Sequence, residues 1–206
     1  MPPTRVYLIR HAETTWNAEG RLQGSLDAPL SERGTRQLRG LTEALRSVPL
    51  VALYSSPLSR ARECADAIGT ACGLAVHLVD EFREMDQGEW EGRRVDEVVA
   101  SDGLRVQAWW DAPHEVQVPG GESLQQVADR AVQAFGALTA RHRDQAIAIV
   151  AHGGVNKVIL LAVLGAPLSH HGRLRQSNAC INVLEVDEEV TRVVTLNDTF
   201  HLGSDG

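Results

Sequence analysis

Two histidines directly follow apolar runs that have the composition of buried β-strands. His11 comes after residues 6–9 and Arg10, and His152 comes after residues 146–151. In open α/β sheets, ligands bind beyond the carboxyl ends of the strands, so the pattern places both imidazoles at one edge of a sheet. One such histidine would most often be an ordinary hydrogen-bonded strand-end side chain. Two at matching positions favour a shared reactive site, in which one imidazole attacks an anionic group held by the arginine.

Further residues near these strand ends are suited to binding an anion. Gly153 and Gly154 let the chain turn closely into a helix, whose first N–H groups then face a negative charge. Arg60 lies one turn into another predicted helix, and its planar guanidinium can donate paired hydrogen bonds to phosphate. Arg62 is read as an ordinary solvated helix residue and is not assigned a role.

A cluster of carboxylates after the third predicted strand could supply a proton. A phosphate ester's leaving oxygen needs a proton as the P–O bond breaks, and a carboxyl group held partly out of water can provide it. Spacing alone does not choose among the four candidates, which are Glu84, Asp86, Glu89 and Glu91.

Strands that alternate with helices must position these groups. The predicted strands are residues 6–9, 51–54, 76–79, 146–151, 181–186 and 190–196. Four helices are predicted, and they run from Ser31 to about Arg46, Pro57 to about Cys72, Ser123 to about His142, and Val155 to Leu164. Residues 187–189 form a turn between the last two strands. The expected fold class is α/β, a three-layer sandwich with a mostly parallel six-stranded sheet, one antiparallel edge strand, and helices on both faces.

One region departs from this alternation. Residues 82–121 contain Trp90, Trp109 and Trp110 together with two prolines, and are expected to fold over one edge of the sheet as a lid-like insertion. The tryptophans could form an apolar wall of the site, although core packing explains them equally well. The pair His170-His171 is expected to lie on a loop surface.

Composition limits the class of protein. A chain of 206 residues that is 43% hydrophobic suits one domain, here residues 1–206. A net charge of −7 argues against nucleic acid or an anionic membrane as partner. Three cysteines without C-x-x-C spacing, no long apolar segment and no signal-peptide pattern indicate a cytoplasmic protein.

The ordered motifs resemble those of the histidine phosphatase superfamily, in its cofactor-dependent phosphoglycerate mutase-like branch. They extend over nearly the whole chain in the expected order. The runs are RHAETTWN at residues 10–17, GRLQG at 20–24, DAPLS at 27–31, SPLSRA at 56–61, EMDQGEWEG at 84–92, GGES at 120–123 and AHGG at 151–154. Two departures are mild: Ala12 replaces a common glycine, and Gln87 stands where an apolar residue is frequent.

The resemblance implies a role for each matching residue. His11 would be the nucleophile that becomes phosphohistidine, and Glu84 the proton donor that spacing could not select. Arg10, Arg60 and His152 would complete the catalytic set. The implied phosphate-binding residues are Arg10, Asn17, Gln23, Gly24, Arg60, His152 and Gly153. No metal and no cofactor are implied.

The expected function is metal-independent hydrolysis of a small phosphorylated metabolite. The compact segment after Glu84 favours a phosphatase over the alternative, a phosphoglycerate mutase, because mutases of this branch have longer insertions there. A less favoured alternative is a non-catalytic scaffold that binds phosphate without turnover. Candidate substrates by resemblance are phosphorylated sugars or glycerates, phosphoserine and α-ribazole phosphate. A homodimer would be unsurprising.

Overall fold

The computed structural model describes residues 2–205, which form one central sheet with helices on both of its faces. The strand order is β3-β2-β4-β1-β5-β6. The strands are β1 (Thr4–Arg10), β2 (Leu50–Ser55), β3 (Val76–Leu78), β4 (Ala146–Ala151), β5 (Ile181–Val186) and β6 (Thr191–Asp198). All six lie where the sequence predicts them.

The four predicted helices are also present, with boundaries within two residues of those expected. Ser31 and Ser123 cap two of them, since each hydroxyl accepts a hydrogen bond from the N–H three residues on. The helix expected from Pro57 begins instead at Ser59, after Leu58 in extended conformation. The helices are α1 (Thr15–Ala18), α2 (Glu32–Leu45), α3 (Ser59–Cys72), α4 (Val95–Asp111), α5 (Leu124–Arg141) and α6 (Gly153–Val163).

Alternation along the strands divides the core into two layers. In β1, Leu8 packs under α5 and α6, whereas Ile9 faces α2 and α3 on the other side of the sheet. Strand β4 is buried on both faces, which is typical of a central strand in an α/β sandwich. The three-layer α/β architecture is therefore confirmed.

The direction of the last two strands refines the prediction of one antiparallel edge strand. β1, β2, β3 and β4 pair in parallel, and β5 is antiparallel to both β1 and β6. The antiparallel strand is therefore β5, one position from the edge, and β6 forms the edge itself. The turn at residues 187–189 joins them, because the Asp187 carboxylate accepts hydrogen bonds from the N–H groups of Glu189 and Val190.

The region predicted as a lid-like insertion contains a helix that the sequence pattern did not reveal. α4 is kinked at Asp102, whose backbone angles are non-helical, and Gly103 follows directly. Its apolar side packs on Trp90, with Val98 and Val106 buried between them. Among residues 2–205, no helix is long and apolar enough to cross a membrane.

Candidate active site

His11 lies at the carboxyl end of β1 with its ring orientation fixed. Its backbone N–H donates to Ala151 O at 3.1 Å, which joins the ends of β1 and β4. Its Nδ1 lies 2.7 Å from Ala12 O. A carbonyl only accepts, so Nδ1 carries the proton and Nε2 keeps its lone pair. This is the tautomer that a nucleophilic imidazole needs.

The surroundings of His11 keep its ring neutral. The side chain is buried, with 2% of the residue exposed. Burial, and then the positive charges of Arg10 and Arg60, hold the pKa of His11 well below its usual 6.5. Because both guanidiniums are near enough to act on the ring, the arginines predicted to share its site do converge on it.

His152 follows β4 and lies beside His11. The two ring centroids are 5.2 Å apart, at an interplanar angle of 59°. His152 Nε2 shares a 2.7 Å hydrogen bond with Ser56 Oγ at the end of β2. Its Nδ1 is buried without a hydrogen-bond partner among the described residues. Burial and the charge of Arg60 lower the pKa of His152 well below 6.5, so this ring is neutral too.

Arg60 is buried in the first turn of α3 and held mainly by carbonyl groups. Its guanidinium donates to Gly24 O and Leu26 O at 2.7 Å each, and to Asp27 Oδ1 at 3.1 Å. Gly24, which the resemblance placed at the phosphate, thus orients Arg60 through its carbonyl. The left-handed backbone of Gly24 (φ 53°) disfavours any side chain there, and a Cβ would stand 1.8 Å from the Glu91 carboxylate, which would have to move.

Arg10, the last residue of β1, is oriented by a different set of groups. It donates to Gln176 O at 2.6 Å. Gly153, the first residue of α6, lies against it, since a Cβ at Gly153 would be 3.5 Å from Arg10 Nε. The side chain of Gln176 in turn bonds Asn156 and Asn182 in a buried network. The arginine is thereby oriented without a carboxylate within ion-pair distance in the described chain.

Asn17 and Gln23 lie in the segment that follows His11. Asn17 Oδ1 accepts hydrogen bonds from the Thr14 N–H, the Thr14 hydroxyl and Asn178 Nδ2, each at 3.1 Å. Its own amide NH₂ is therefore left to donate to another group. Asn178 also donates to His11 O at 3.4 Å, which links Asn17 to the strand end. Gln23 is buried, and its Oε1 has no partner among the described residues.

The structure separates Glu84 from the other three candidate carboxylates. Glu84 accepts hydrogen bonds from its neighbour Met85 N–H at 2.9 Å and from Gly154 N–H, at the start of α6, at 3.2 Å. Its negative charge acts on both Arg10 and Arg60.

The remaining carboxylates are directed elsewhere. Asp86 accepts from the Gly88 N–H, and Glu91 from the Ser25 N–H and hydroxyl. No described residue donates a hydrogen bond to the Glu89 carboxylate.

Arg130 of α5 fixes the segment that carries Glu84. Its guanidinium donates to the carbonyls of Glu81, Arg83 and Glu84 at 2.6, 2.7 and 3.3 Å. It also forms a two-pronged pair with Glu122, at 2.9 and 2.8 Å. The main chain before Glu84 is thereby held against α5.

Sequence reasoning missed the residues that orient the predicted ones: Ser56, Gln176, Asn178 and Arg130. Only Ser56 had a usable signal, because it follows a strand that ends beside β4. The other three are polar residues in loops or on a helix, where no periodicity marks them. Arg62 is solvated as predicted and pairs with Asp66.

The prediction that His170-His171 forms a loop surface was wrong. Both residues lie in a short 3-10 helix, Leu168–Arg173, and are half-buried. The His171 ring packs edge-on against Trp109, with centroids 6.4 Å apart. Trp109 also packs perpendicular to Trp90, at 6.5 Å, so two of the three tryptophans serve the core of the inserted region. Within residues 2–205, no group of three or more His, Cys, Asp or Glu side chains could hold a metal ion.

Two neutral histidines and two oriented arginines meet at the strand ends of this α/β fold. The sequence model described as "Histidine phosphatase superfamily (branch 1)" matches residues 6–199. The chain therefore belongs to the histidine phosphatase superfamily. This confirms the resemblance seen in the motifs.

Relatives cover nearly the whole chain. Phosphoserine phosphatase 1 of Hydrogenobacter thermophilus is 37% identical over 97% of this chain and 94% of its own length. A probable phosphoglycerate mutase GpmB of Salmonella choleraesuis is 34% identical over 89% of this chain and 86% of its own. The solved structure of Bacillus stearothermophilus YhfR superposes with a TM-score of 0.92 at 33% identity, over 97% of this chain and 99% of that one.

Proposed function

We propose that this protein is a metal-independent phosphomonoester hydrolase that works through a phosphohistidine on His11. One observation carries the proposal: the Nδ1 proton of His11 is engaged by Ala12 O, so that Nε2 is free beside Arg10 and Arg60. A nucleophile that is neutral and already oriented next to two cations matches the needs of phosphoryl transfer.

In the first step, His11 Nε2 attacks phosphorus and the bond to the ester oxygen breaks. Arg10 and Arg60 stabilise the charge that spreads over the equatorial oxygens. His152, Asn17 and the Gly153 N–H add donors around the same group. Glu84, in its protonated form, gives its proton to the departing alkoxide, and the alcohol leaves.

In the second step, water replaces the alcohol. The Glu84 carboxylate takes a proton from the water as its oxygen attacks phosphorus and the P–N bond breaks. The electron pair of that bond returns to His11 Nε2, and inorganic phosphate leaves. Glu84 is protonated again, so one cycle consumes one water and restores the site.

A phosphoglycerate mutase is the second candidate, and the name of the Salmonella relative favours it. The segment after Glu84 supports the hydrolase instead. Residues 84–92 form a short segment whose single element is a 3-10 turn, Gly88–Trp90. A site that must keep water from the phosphohistidine needs a longer cover there.

We further propose that the substrate is a small phosphorylated metabolite. The relatives' names, which mention phosphoserine and phosphoglycerate, support this class. Phosphorylated sugars and α-ribazole phosphate remain further candidates. The homodimer, the cytoplasmic location and the independence from metals and cofactors stay predictions.

The experiment is a brief exposure to a ³²P-labelled ester, followed by rapid denaturation. We expect label that is stable in base and lost in acid, absent from His11→Ala and retained in His77→Ala, an exposed histidine on β3 that serves as control. Label retained in His11→Ala would overturn the assignment. With 3-phosphoglycerate, isomerisation much faster than phosphate release, in the presence of a bisphosphate primer, would decide for the mutase.

A further inference from the structure

Lys157 lies one helical turn beyond the groups that form the phosphate pocket. It follows Gly153 and Gly154 on the same face of α6, about 5 Å further along the helix axis. Gly153 contacts Arg10, and the Gly154 N–H holds Glu84. The charges of Arg10 and Glu84 both reach the Lys157 ammonium. Lys157 therefore lies on the side of α6 that also faces Arg10 and Glu84.

The ammonium of Lys157 has no partner of its own. The side chain is half-buried, and burial lowers its pKa. In residues 2–205, no carboxylate lies within ion-pair distance of it and no hydrogen bond engages it. Lys157 is also the one lysine of a chain with 20 basic residues. A compact ammonium thus stands alone where every other basic position is arginine.

His171 provides a second unpartnered donor near Lys157. The 3-10 helix Leu168–Arg173 packs against α6, and the charge of Lys157 acts on the His171 ring. His171 Nε2 is buried and has no hydrogen-bond partner among the described residues. Burial, and then Lys157, lower the pKa of His171 to about 3, so the ring is neutral at pH 7. A neutral imidazole can donate from Nε2 while Trp109 supports its edge.

We propose that Lys157 and His171 form a second subsite, which binds a carboxylate on the alcohol part of the phosphate ester. The proposal rests on the proposed function and names its substrate class, phosphorylated hydroxy acids of a few carbon atoms. With the ester's leaving oxygen at Glu84, the remainder of the alcohol extends towards Lys157.

Charge matching selects a carboxylate rather than a second phosphate. The transferred phosphoryl group meets two arginines, two histidines and backbone donors. The Lys157 subsite has one cation and one neutral donor, which balance a single negative charge. A dianionic phosphate would leave a charge without a partner in a partly buried place.

The test compares 3-phosphoglycerate with glycerol 3-phosphate, which differ in a carboxylate against a hydroxymethyl group. We expect wild-type kcat/KM to be about 10- to 100-fold higher for 3-phosphoglycerate, as for one charge-assisted contact. Lys157→Met keeps the aliphatic stem but removes the charge. In this variant the ratio of kcat/KM for 3-phosphoglycerate to kcat/KM for glycerol 3-phosphate should be close to one. Its kcat/KM on glycerol 3-phosphate and on p-nitrophenyl phosphate should stay within about threefold of wild type. Arg141→Met, an equal charge change at the exposed far end of α5, should leave the ratio intact.

A binding measurement separates this subsite from the proposed chemistry. In the His11→Ala background, calorimetry should show the same preference for 3-phosphoglycerate, and its loss on adding Lys157→Met. If the wild type hydrolyses no ester, the hydrolase proposal fails. The calorimetric preference for 3-phosphoglycerate still shows whether the carboxylate subsite exists. Three results would overturn the subsite. The first is equal affinity of the His11→Ala protein for 3-phosphoglycerate and glycerol 3-phosphate, and the second is a wild-type kcat/KM ratio near one for these two esters. The third is a loss of kcat/KM in Lys157→Met that is the same for all three substrates.

Discussion

Replacing Arg130 by methionine tests whether catalysis depends on how the Glu84 segment is held. The change removes five hydrogen bonds, three to main-chain carbonyls and two to Glu122. The carbonyls of Glu81 and Arg83 lie in exposed surroundings, so water can replace the lost donors there. The pair with Glu122 is largely buried, and its loss should reduce the free energy of unfolding by about 2 kcal/mol. For a chain of this size, Tm should fall by roughly 4–8 °C.

The expected effect on turnover is larger and depends on the substrate. A shift of about 1 Å in a catalytic group can cost roughly 100-fold in rate, and here the shifted group is Glu84. On an alkyl phosphate, kcat of Arg130→Met should therefore fall about 10- to 100-fold. On p-nitrophenyl phosphate the loss should be below about fivefold, because nitrophenolate leaves without a proton. Both rates are measured at pH 7, well below Tm, with Arg141→Met as control.

An equal loss on both substrates would refute this reasoning. It would mean that Arg130 supports the phosphate pocket as a whole rather than the proton donor. A loss confined to KM would contradict it as well, because a displaced proton donor lowers kcat without weakening binding of the ester.

Three further substitutions test other contacts. Glu84→Gln should reduce kcat on alkyl phosphates at least 100-fold, with much less effect on p-nitrophenyl phosphate. Steady-state assays measure both rates, and an equal fall on the two substrates would contradict the acid role. Ser56→Ala removes the hydrogen bond that the His152 ring shares with Ser56, so phosphate-release assays should show kcat/KM about tenfold lower; an unchanged value would mean that packing alone orients the ring. The lowered pKa of His171 makes the unfolded state take up a proton below pH 6.5 while the folded state stays neutral, so stability falls with pH. Between pH 7.5 and pH 5, the free energy of urea unfolding should fall by about 2 kcal/mol more in the wild type than in His171→Phe, because the other buried histidines are present in both proteins; equal falls would disprove the assignment.

The sequence predicted the sheet well because each strand carries its own signal. Apolar runs such as residues 146–151 are buried on both faces, and they are hard to mistake for amphipathic helices. The strand ends then located His11 and His152 without any tertiary information. Helix α4 was missed for the opposite reason. Asp102 and Gly103 interrupt it, and its apolar residues pack on Trp90 from an inserted segment rather than on the sheet.

The choice among four carboxylates could not be made from spacing. Glu84 and Asp86 are two residues apart, and both follow the same strand. What distinguishes them is the start of α6, about 70 residues further on, where the Gly154 N–H reaches Glu84. Contacts of this kind exist only after folding, so the resemblance to a family, and not the local pattern, selected the residue.

The manner in which the two arginines are held explains how an acidic protein keeps a cationic pocket. An arginine oriented by a carboxylate loses most of its positive potential to that partner. Arg10 is instead oriented by Gln176 O, and Arg60 mainly by the carbonyls of Gly24 and Leu26. Carbonyl dipoles fix the direction of a guanidinium and leave its net charge in place. Asp27 takes up part of the charge of Arg60, and Glu84 acts on both arginines. The positive charge of the pocket is therefore carried mainly by Arg10, which has no carboxylate within ion-pair distance among residues 2–205.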